Sequence, residues 1–453
     1  MSTEIPARVY FVGIGGIGMS ALARYFHARG SQVSGYDLRE TDLTRELVSE
    51  GMPVHYEDQP DALPEDIDLA IYTPAVPSDF GELEELRARG VKLEKRAKAL
   101  GRISRRHSTL AVAGTHGKTS ISAMAIYLMR EGDTDAVGFL GGITANYDSN
   151  YIAGEGEWMV VEADEYDRSF LHLDPDVTIV SFIEPDHLDI YTDVDTFEDG
   201  FHRYLAGVKA GGTVVTKPHI AERLERSLRQ VQVVTYGLDR DDVDWSAHRI
   251  TVENGTYVFT LRHPGGEIRG VKLGMPGRHN VENAVAALAA THAAGLDVER
   301  AAASLSGFLG VQRRFERLGV WKDAVIISDY AHHPTEVSAA IACAKELFAD
   351  RPYRIVGIFQ PHLYSRTRDF ADGFAAALSD LQEVVMFELY PARETPIVGI
   401  SSMTIFDNVS VDKKYLVSTS EAPALLEALG ADVLLFMGAG DVDAFARKLV
   451  SAG

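Results

Sequence analysis

Two glycine loops set the chemistry this sequence can do. Gly13-Ile14-Gly15-Gly16-Ile17-Gly18 leaves a short β-branched apolar run and opens a helical pattern over residues 20–29, and Asp37 follows nineteen residues after Gly18, beyond a second strand-like run at 32–36. Amides at a helix N-terminus hold a diphosphate, and an acid at that distance reaches a ribose hydroxyl. Taken alone, the loop predicts a nicotinamide enzyme. The second loop, Gly114-Thr115-His116-Gly117-Lys118-Thr119-Ser120, also lies between strand and helix patterns. It carries the Gly-Lys-Thr core with which a P-loop meets β- and γ-phosphates and Mg2+, although Val112 stands where the usual spacing has its first glycine. Two such loops predict two nucleotides, one an energy source and one part of a substrate. A dehydrogenase leaves the second loop unexplained.

Acids gather at two further strand ends. Residues 158–165 finish an apolar run with Glu162, Asp164 and Glu165, and residues 183–189 finish another with Glu184, Asp186, His187 and Asp189. Glu162 is the natural metal carboxylate, and with His187 and the Thr119 hydroxyl it would hold Mg2+ or Mn2+. Acids at strand ends also serve as caps and turn residues. A single cysteine, Cys343, excludes a thiolate zinc cluster and an internal disulfide.

The elements that must position these groups read as an α/β chain with three domains. Strand and helix patterns alternate to about residue 100, giving a Rossmann-like domain over 1–106. Residues 92–106 hold seven Lys or Arg against one Glu, read as a solvated helix face and linker. A P-loop domain with a mostly parallel sheet follows over 107–318. From 231 to 275 its texture changes to short alternating strands with turns at Glu253-Asn254-Gly255 and Pro264-Gly265-Gly266, which predicts a small antiparallel sheet. A third α/β series occupies 319–453.

With 453 residues, 46% hydrophobic, the chain is long enough for two to four domains. Its 44 Lys+Arg against 66 Asp+Glu give a net charge of −22, which argues against a general basic surface for nucleic acid or an anionic membrane. No run of about 18 apolar residues and no leader pattern is visible, so a cytoplasmic enzyme is expected.

The ordered motifs GIGGIGMS, GTHGKTS, EADEYDRSF, EPDHLDIY, GRHNVENA, RRFERLG, SDYAHHPTEV, FQPHLYSRTRDF and YPARETPIVGISS resemble the Mur ligase family of cell-wall synthesis along essentially the whole chain, and its alanine-adding branch above the others. The resemblance implies an N-terminal UDP-binding domain, a central ATPase and a C-terminal Rossmann-like domain that helps bind an amino acid. The implied reaction is ATP-dependent amide formation between UDP-N-acetylmuramate and L-alanine through an acyl phosphate, by a monomer or homodimer with Mg2+.

Carried over by position, Gly13, Gly15, Gly16, Ile17, Gly18, Asp37 and Thr73 fall at the UDP-sugar. Gly114, Thr115, His116, Gly117, Lys118, Thr119 and Ser120, with Asn280, Asn283, Arg314 and Asp329, fall at ATP. Thr119, Glu162 and His187 fall at metal. Tyr330, His332, His333, His362 and Arg366 fall at the amino acid, with Arg366 suited to its carboxylate by bidentate geometry and His332 placed to orient or deprotonate the amine. Lys118, His187, Arg314, His332 and Arg366 form the catalytic set. A His-His pair before Pro334 also fits a helix entry. His202 occupies the place where other branches carry a carbamylated lysine, and Leu363 and Ser328 depart from the family pattern. The alternatives are a recycling ligase that adds a ready-made tripeptide to the same sugar nucleotide, a nicotinamide oxidoreductase, and a non-catalytic nucleotide-binding regulator.

Overall fold

The computed structural model describes residues 5–184, 194–349, 352–392 and 394–452. Among the described residues, three sheets of five, ten and six strands organise the chain. The first has the order Val54–His55, Gln32–Tyr36, Arg8–Val12, Leu69–Tyr72, Leu93–Lys95, parallel at every pairing. Arg8–Val12 is central, and the chain winds away from it in both directions. Its carboxyl end is therefore a topological switch point, where open α/β sheets bind ligands.

The ten-stranded sheet repeats this logic. Ser108–Ala113 pairs in parallel with Val177–Val180 on one side and Trp158–Glu162 on the other. All four residues of Val177–Val180 are buried, the pattern of a strand covered on both faces. Helix Lys118–Glu131 returns over this sheet, with every residue from Thr119 to Met129 buried.

The strand Gln232–Leu238 extends the sheet in parallel beside Thr213–Thr216, so the expected change to antiparallel texture comes later than residue 231. It comes with Trp245–Glu253 and Thr256–His263, joined by Asn254 and Gly255 at φ +51° and +78°. A two-residue turn with both central residues left-handed matches the twist of a hairpin. The third sheet runs Glu316–Trp321, Ala324–Asp329, Val433–Met437, Ile355–Phe359, Glu383–Met386, Lys413–Leu416. Its first strand pairs antiparallel and the rest in parallel. This sheet begins before residue 319, so the boundary drawn at 318/319 cuts a strand.

Packing divides the chain into two units. One contains Met1–His248, Thr260–Val271 and Asn283–Phe308, and the other Arg249–Phe259, Lys272–Glu282 and Leu309–Gly453. The first sheet and most of the ten-stranded sheet thus share a unit, and the reason lies in helix Ile17–Ala28. Tyr25 and Phe26 on this helix are buried, and Tyr25 meets Phe139 and Tyr151 of the central sheet at ring distances of 5.5 and 6.2 Å. Arg24, also buried, donates to Glu50 at 2.6 Å and to Asn150 Oδ1 at 2.6 Å, while Asn150 Nδ2 donates to the Ile17 carbonyl at 2.6 Å. The apolar cluster around Phe11 and Ile71 continues without interruption to Phe139, Val161 and Phe170.

The basic segment 92–106 is also more than a solvated linker. Leu93–Lys95 is the edge strand of the first sheet, and helix Arg96–Ser104 buries Ala99, Gly101, Ile103 and Ser104. A Cβ at Gly101 would lie 2.3 Å from the His172 carbonyl oxygen, so backbone meets backbone there. Among the described residues no helix is long and apolar enough to cross a membrane.

Candidate active site

The first glycine loop sits at the carboxyl end of Arg8–Val12. Gly13 and Ile14 donate to the Tyr36 carbonyl at 2.8 and 2.9 Å, which turns the chain sharply into helix Ile17–Ala28. Gly13 has φ +88°, and a Cβ there would stand 2.5 Å from Thr73 Cγ2, so the loop needs glycine for conformation and for room. The amides of Ile17 and Gly18 open the helix, where backbone donors have no intrahelical partner and the dipole favours an anion. Asp37 reaches the loop, but its Oδ2 accepts from Gly15 N–H at 2.7 Å and its Oδ1 from Leu38 N–H at 2.8 Å. The acid expected to meet a ribose is thus also a brace for the loop.

The second loop leaves Ser108–Ala113 and enters helix Lys118–Glu131 through Gly117, at φ +81°. Thr115 N–H donates to the Phe182 carbonyl at 3.0 Å, and the Ser181 hydroxyl donates to the His116 carbonyl at 2.5 Å. Gly114 lies tight against this neighbour: at φ +126°, a Cβ would fall 2.3 Å from Ser181 Oγ and 2.9 Å from Phe182 N. His116 Nε2 lies 3.0 Å from Glu184 Oε2. Thr119 and Ser120 are buried at the first turn, and Asn283 borders the loop, its Oδ1 2.8 Å from where a Gly117 Cβ would be.

Charge concentrates on Lys118. Its ammonium donates to both carboxylate oxygens of Glu165 at 2.7 Å, and the Glu165 side chain is 1% exposed. Burial alone would lower the Lys118 pKa, yet Glu165, Asp164 and Glu162 together hold it above the usual lysine range. Glu162 ends its strand opposite Val112, directly before the loop, and accepts from Gly141 N–H at 3.1 Å. Glu162 and Thr119 supply oxygen donors, the type a hard divalent cation takes. His187, the other expected metal ligand, lies outside the described residues.

The second unit holds Asn280, Arg314 and Asp329 of the residues expected at ATP and all five expected at the amino acid. Asp329 ends the strand Ala324–Asp329, and its carboxylate accepts from Phe315 N–H and Ala331 N–H, both at 2.8 Å. Burial pushes its pKa up to about 6 despite the Arg314 guanidinium nearby. Arg314 and Arg313 both face the Tyr330 ring, at 5.2 and 4.6 Å. Asn280, one turn before Asn283 on helix Arg278–Ala293, donates to the Pro276 carbonyl at 2.6 Å.

His332 Nδ1 lies 2.9 Å from the Tyr330 carbonyl, which fixes the tautomer with the proton on Nδ1 and leaves Nε2 as acceptor. Burial pulls its pKa down to about 4, with Arg366 acting in the same direction and Glu336 against it. His333 is the N-cap of helix Pro334–Leu347, and its ring stands edge-on to Phe370 at 4.8 Å. This is the helix-entry role that competed with ligand binding for the histidine pair. His362 stacks on Tyr390 with rings 5.8 Å apart and 8° from parallel, and Arg366 is buried on helix Tyr364–Asp369.

Sequence reasoning had not assigned Glu165 as the lysine's partner, Ser181 as the loop's brace or Glu336 as the acceptor of His332 N–H, at 3.0 Å. The alternation of acids in Glu162-Ala163-Asp164-Glu165 was the available signal for the first. Nothing local marks the other two.

Three family models match in succession. Residues 8–108 match the catalytic domain of the Mur ligase family, 112–291 the Mur ligase middle domain, and 313–440 the glutamate ligase domain of Mur ligases. The chain is 44% identical over 446 residues to a UDP-N-acetylmuramate–L-alanine ligase of Porphyromonas gingivalis, covering 96% of each. To its counterpart from Cytophaga hutchinsonii it is 42% identical over 450 residues, covering 97% of this chain and 96% of the other. Among solved structures, the UDP-N-acetylmuramate–alanine ligase of Thermotoga maritima superposes with a TM-score of 0.83 at 30% identity, over 98% of both chains. A murein peptide ligase of Psychrobacter arcticus shares the fold with a TM-score of 0.73 at 23% identity, over 98% of both.

Proposed function

Because the chain belongs to the Mur ligase family, we propose that it joins L-alanine to UDP-N-acetylmuramate at the expense of ATP, in the cytoplasm, as a step of peptidoglycan precursor synthesis. The observation that carries this reading is the pair of glycine loops, each at the switch point of its own sheet within one packed unit, which suits an enzyme that holds two nucleotides at once. The full-length likeness to alanine-adding relatives chooses the amine.

The lactyl carboxylate of the sugar nucleotide attacks the γ-phosphorus of ATP, forming a C–O–P bond and releasing ADP. The amine nitrogen then attacks the acyl carbon. The tetrahedral intermediate expels inorganic phosphate and leaves the amide, with the amine's proton passing to solvent or phosphate. Both steps need positioning and charge compensation rather than an enzyme nucleophile. Lys118 neutralises the transferring phosphoryl, exchanging part of its contact with Glu165 for phosphate oxygens. Thr119 and Glu162 would hold Mg2+, which supplies further neutralisation of the phosphates when bound.

Arg366 takes the alanine carboxylate through its planar fork. His332 orients the amine rather than deprotonating it. A peptide's α-amino group titrates at roughly 8, about four units above this imidazole, and the amine of a free amino acid is more basic still, so proton transfer to the ring would be uphill by more than ~5 kcal/mol. A neutral Nε2 accepting from an amine N–H fits the ring better.

Phosphate release with UDP-N-acetylmuramate, ATP and Mg2+ should require an amine, with L-alanine preferred over glycine and L-serine. Turnover with L-Ala-γ-D-Glu-meso-diaminopimelate in place of L-alanine would hand the chain to the recycling branch. Turnover with no amine at all would overturn the reading.

A further inference from the structure

The first glycine loop has a cationic neighbour that neither its motif nor the ATP loop accounts for. Arg96 follows the edge strand Leu93–Lys95, and Lys95 pairs with Tyr72, which pairs with Val12, the residue before the loop. Arg96 and Gly13 therefore leave the sheet at the same edge, two strands apart, or about 10 Å. The long side chain crosses that distance: a Cβ on Gly18 would stand 2.6 Å from Arg96 Nη1, 3.2 Å from Cδ and 3.4 Å from Cζ. The guanidinium thus lies against the helix's first turn, in the space the last glycine of the motif leaves open. Its other edge faces the central sheet, where Nη2 lies 3.6 Å from Asp164 Oδ2 and 3.4 Å from Ser169 Oγ. Both contacts are longer than a well-formed hydrogen bond, so they steer the group without saturating it. Arg96 keeps 20% side-chain exposure, and a guanidinium presents five donors in a fork that matches phosphate oxygens.

We propose that Arg96 grips the diphosphate of the sugar nucleotide beside Gly18, and that Asp164 is the positioning residue that holds its guanidinium there. The inference rests on the reading of the first loop as the UDP-sugar site. It adds a side-chain cation to a cradle otherwise made of backbone amides. It also makes Asp164, two residues past Glu162, a shared neighbour of both phosphate sites.

Equilibrium binding to the full-length protein tests it, with UDP, UDP-N-acetylglucosamine and UDP-N-acetylmuramate as probes. Arg96→Ala should weaken all three by tenfold or more and leave ATP affinity within twofold, whereas Arg96→Lys should lose about threefold, keeping the charge but not the fork. Asp164→Asn should weaken the three probes by about threefold. Loss confined to UDP-N-acetylmuramate would overturn the assignment and give Arg96 to the lactyl carboxylate, since the other two probes lack it. Unchanged binding of all three would leave Arg96 as a tie between sheets only. Should Arg96→Ala fail to fold, Gly18→Ala displaces the guanidinium while favouring the helix, and it should weaken the same three probes. Wild-type protein that binds none of them would instead defeat the reading of the site itself.

Discussion

Around Gly13–Gly18 the chain offers amides, a brace from Asp37 to Gly15 N–H, and one guanidinium laid against Gly18. Around Gly114–Ser120 it offers a buried ammonium clamped by both oxygens of Glu165, with two more carboxylates beside it. The two loops have the same strand-to-helix form and differ in what surrounds them. A diphosphate that is carried unchanged needs only fixed dipoles and a steady cation. A phosphoryl group in transit changes its charge distribution, and the groups around it must be strong, opposed and able to exchange partners. On the proposed reading, loop shape selects phosphate and the charge environment separates holding from reacting.

Lys118→Ala tests that separation most severely. Ligation should fall by at least ~10³-fold, measured as phosphate release, while UDP-N-acetylmuramate still binds with unchanged affinity. Loss of sugar-nucleotide binding would show that the two loops do not divide the work. Arg366→Ala should leave both loops alone and raise the alanine KM by roughly 10²-fold with little effect on the ATP KM; equal effects on both would move Arg366 to the phosphate side. Glu165→Gln takes one charge from a buried pair. Unfolding in denaturant should reveal a loss of about 3 kcal/mol, with kcat down by roughly tenfold. If neither changes, Glu165 is not what disciplines the lysine. Asp37→Ala should weaken UDP-N-acetylmuramate by about tenfold and leave ATP untouched, because the brace at Gly15 belongs to the holding loop alone.

The smallest net effect in the wild type concerns pH in the second unit, where two opposed contributions offset each other. His332, with its folded pKa lowered to about 4, contributes stability that is complete above 6.5 and is lost as pH falls through 4. Asp329, raised to about 6, acts in the opposite sense: its contribution is complete below 3.8 and is lost as pH rises through 6. Each amounts to about 3 kcal/mol, so the two nearly cancel between pH 4 and 6.5. Replacing His332 with Asn should uncover the Asp329 part, seen as stability that declines with rising pH over that interval. A flat profile in the variant would contradict the burial assigned to Asp329.

The form of both loops was legible in the sequence because a tight strand-to-helix turn is a local backbone property, written in glycine spacing and a following helix. The acid cluster at Glu162 was legible for the same reason, since it ends an apolar run. Three things were not. Asp37 was expected at a ribose, and its bond to Gly15 N–H depends on the pitch of a turn that spacing does not encode. Residues 92–106 looked like a solvated charge run because seven cations outnumber the buried positions Ala99, Gly101, Ile103 and Ser104, and the backbone that Gly101 meets, at His172, lies some seventy residues away. The boundary at 106 looked like a seam because the loop motifs restart there. What joins the two sheets is Arg24 meeting Asn150 and Tyr25 meeting Phe139, contacts between residues more than a hundred positions apart.

That join also limits how the protein can be taken apart. A fragment ending at residue 106 would carry Tyr25 and Phe26 on a helix face stripped of its cover, and an Arg24 deprived of the amide it leans on. Such a piece would clump rather than stand alone as a soluble cassette. Anyone wishing to transplant the first sheet and its helices into another scaffold must move the strands Val137–Thr144 and Ser149–Ile152 with them.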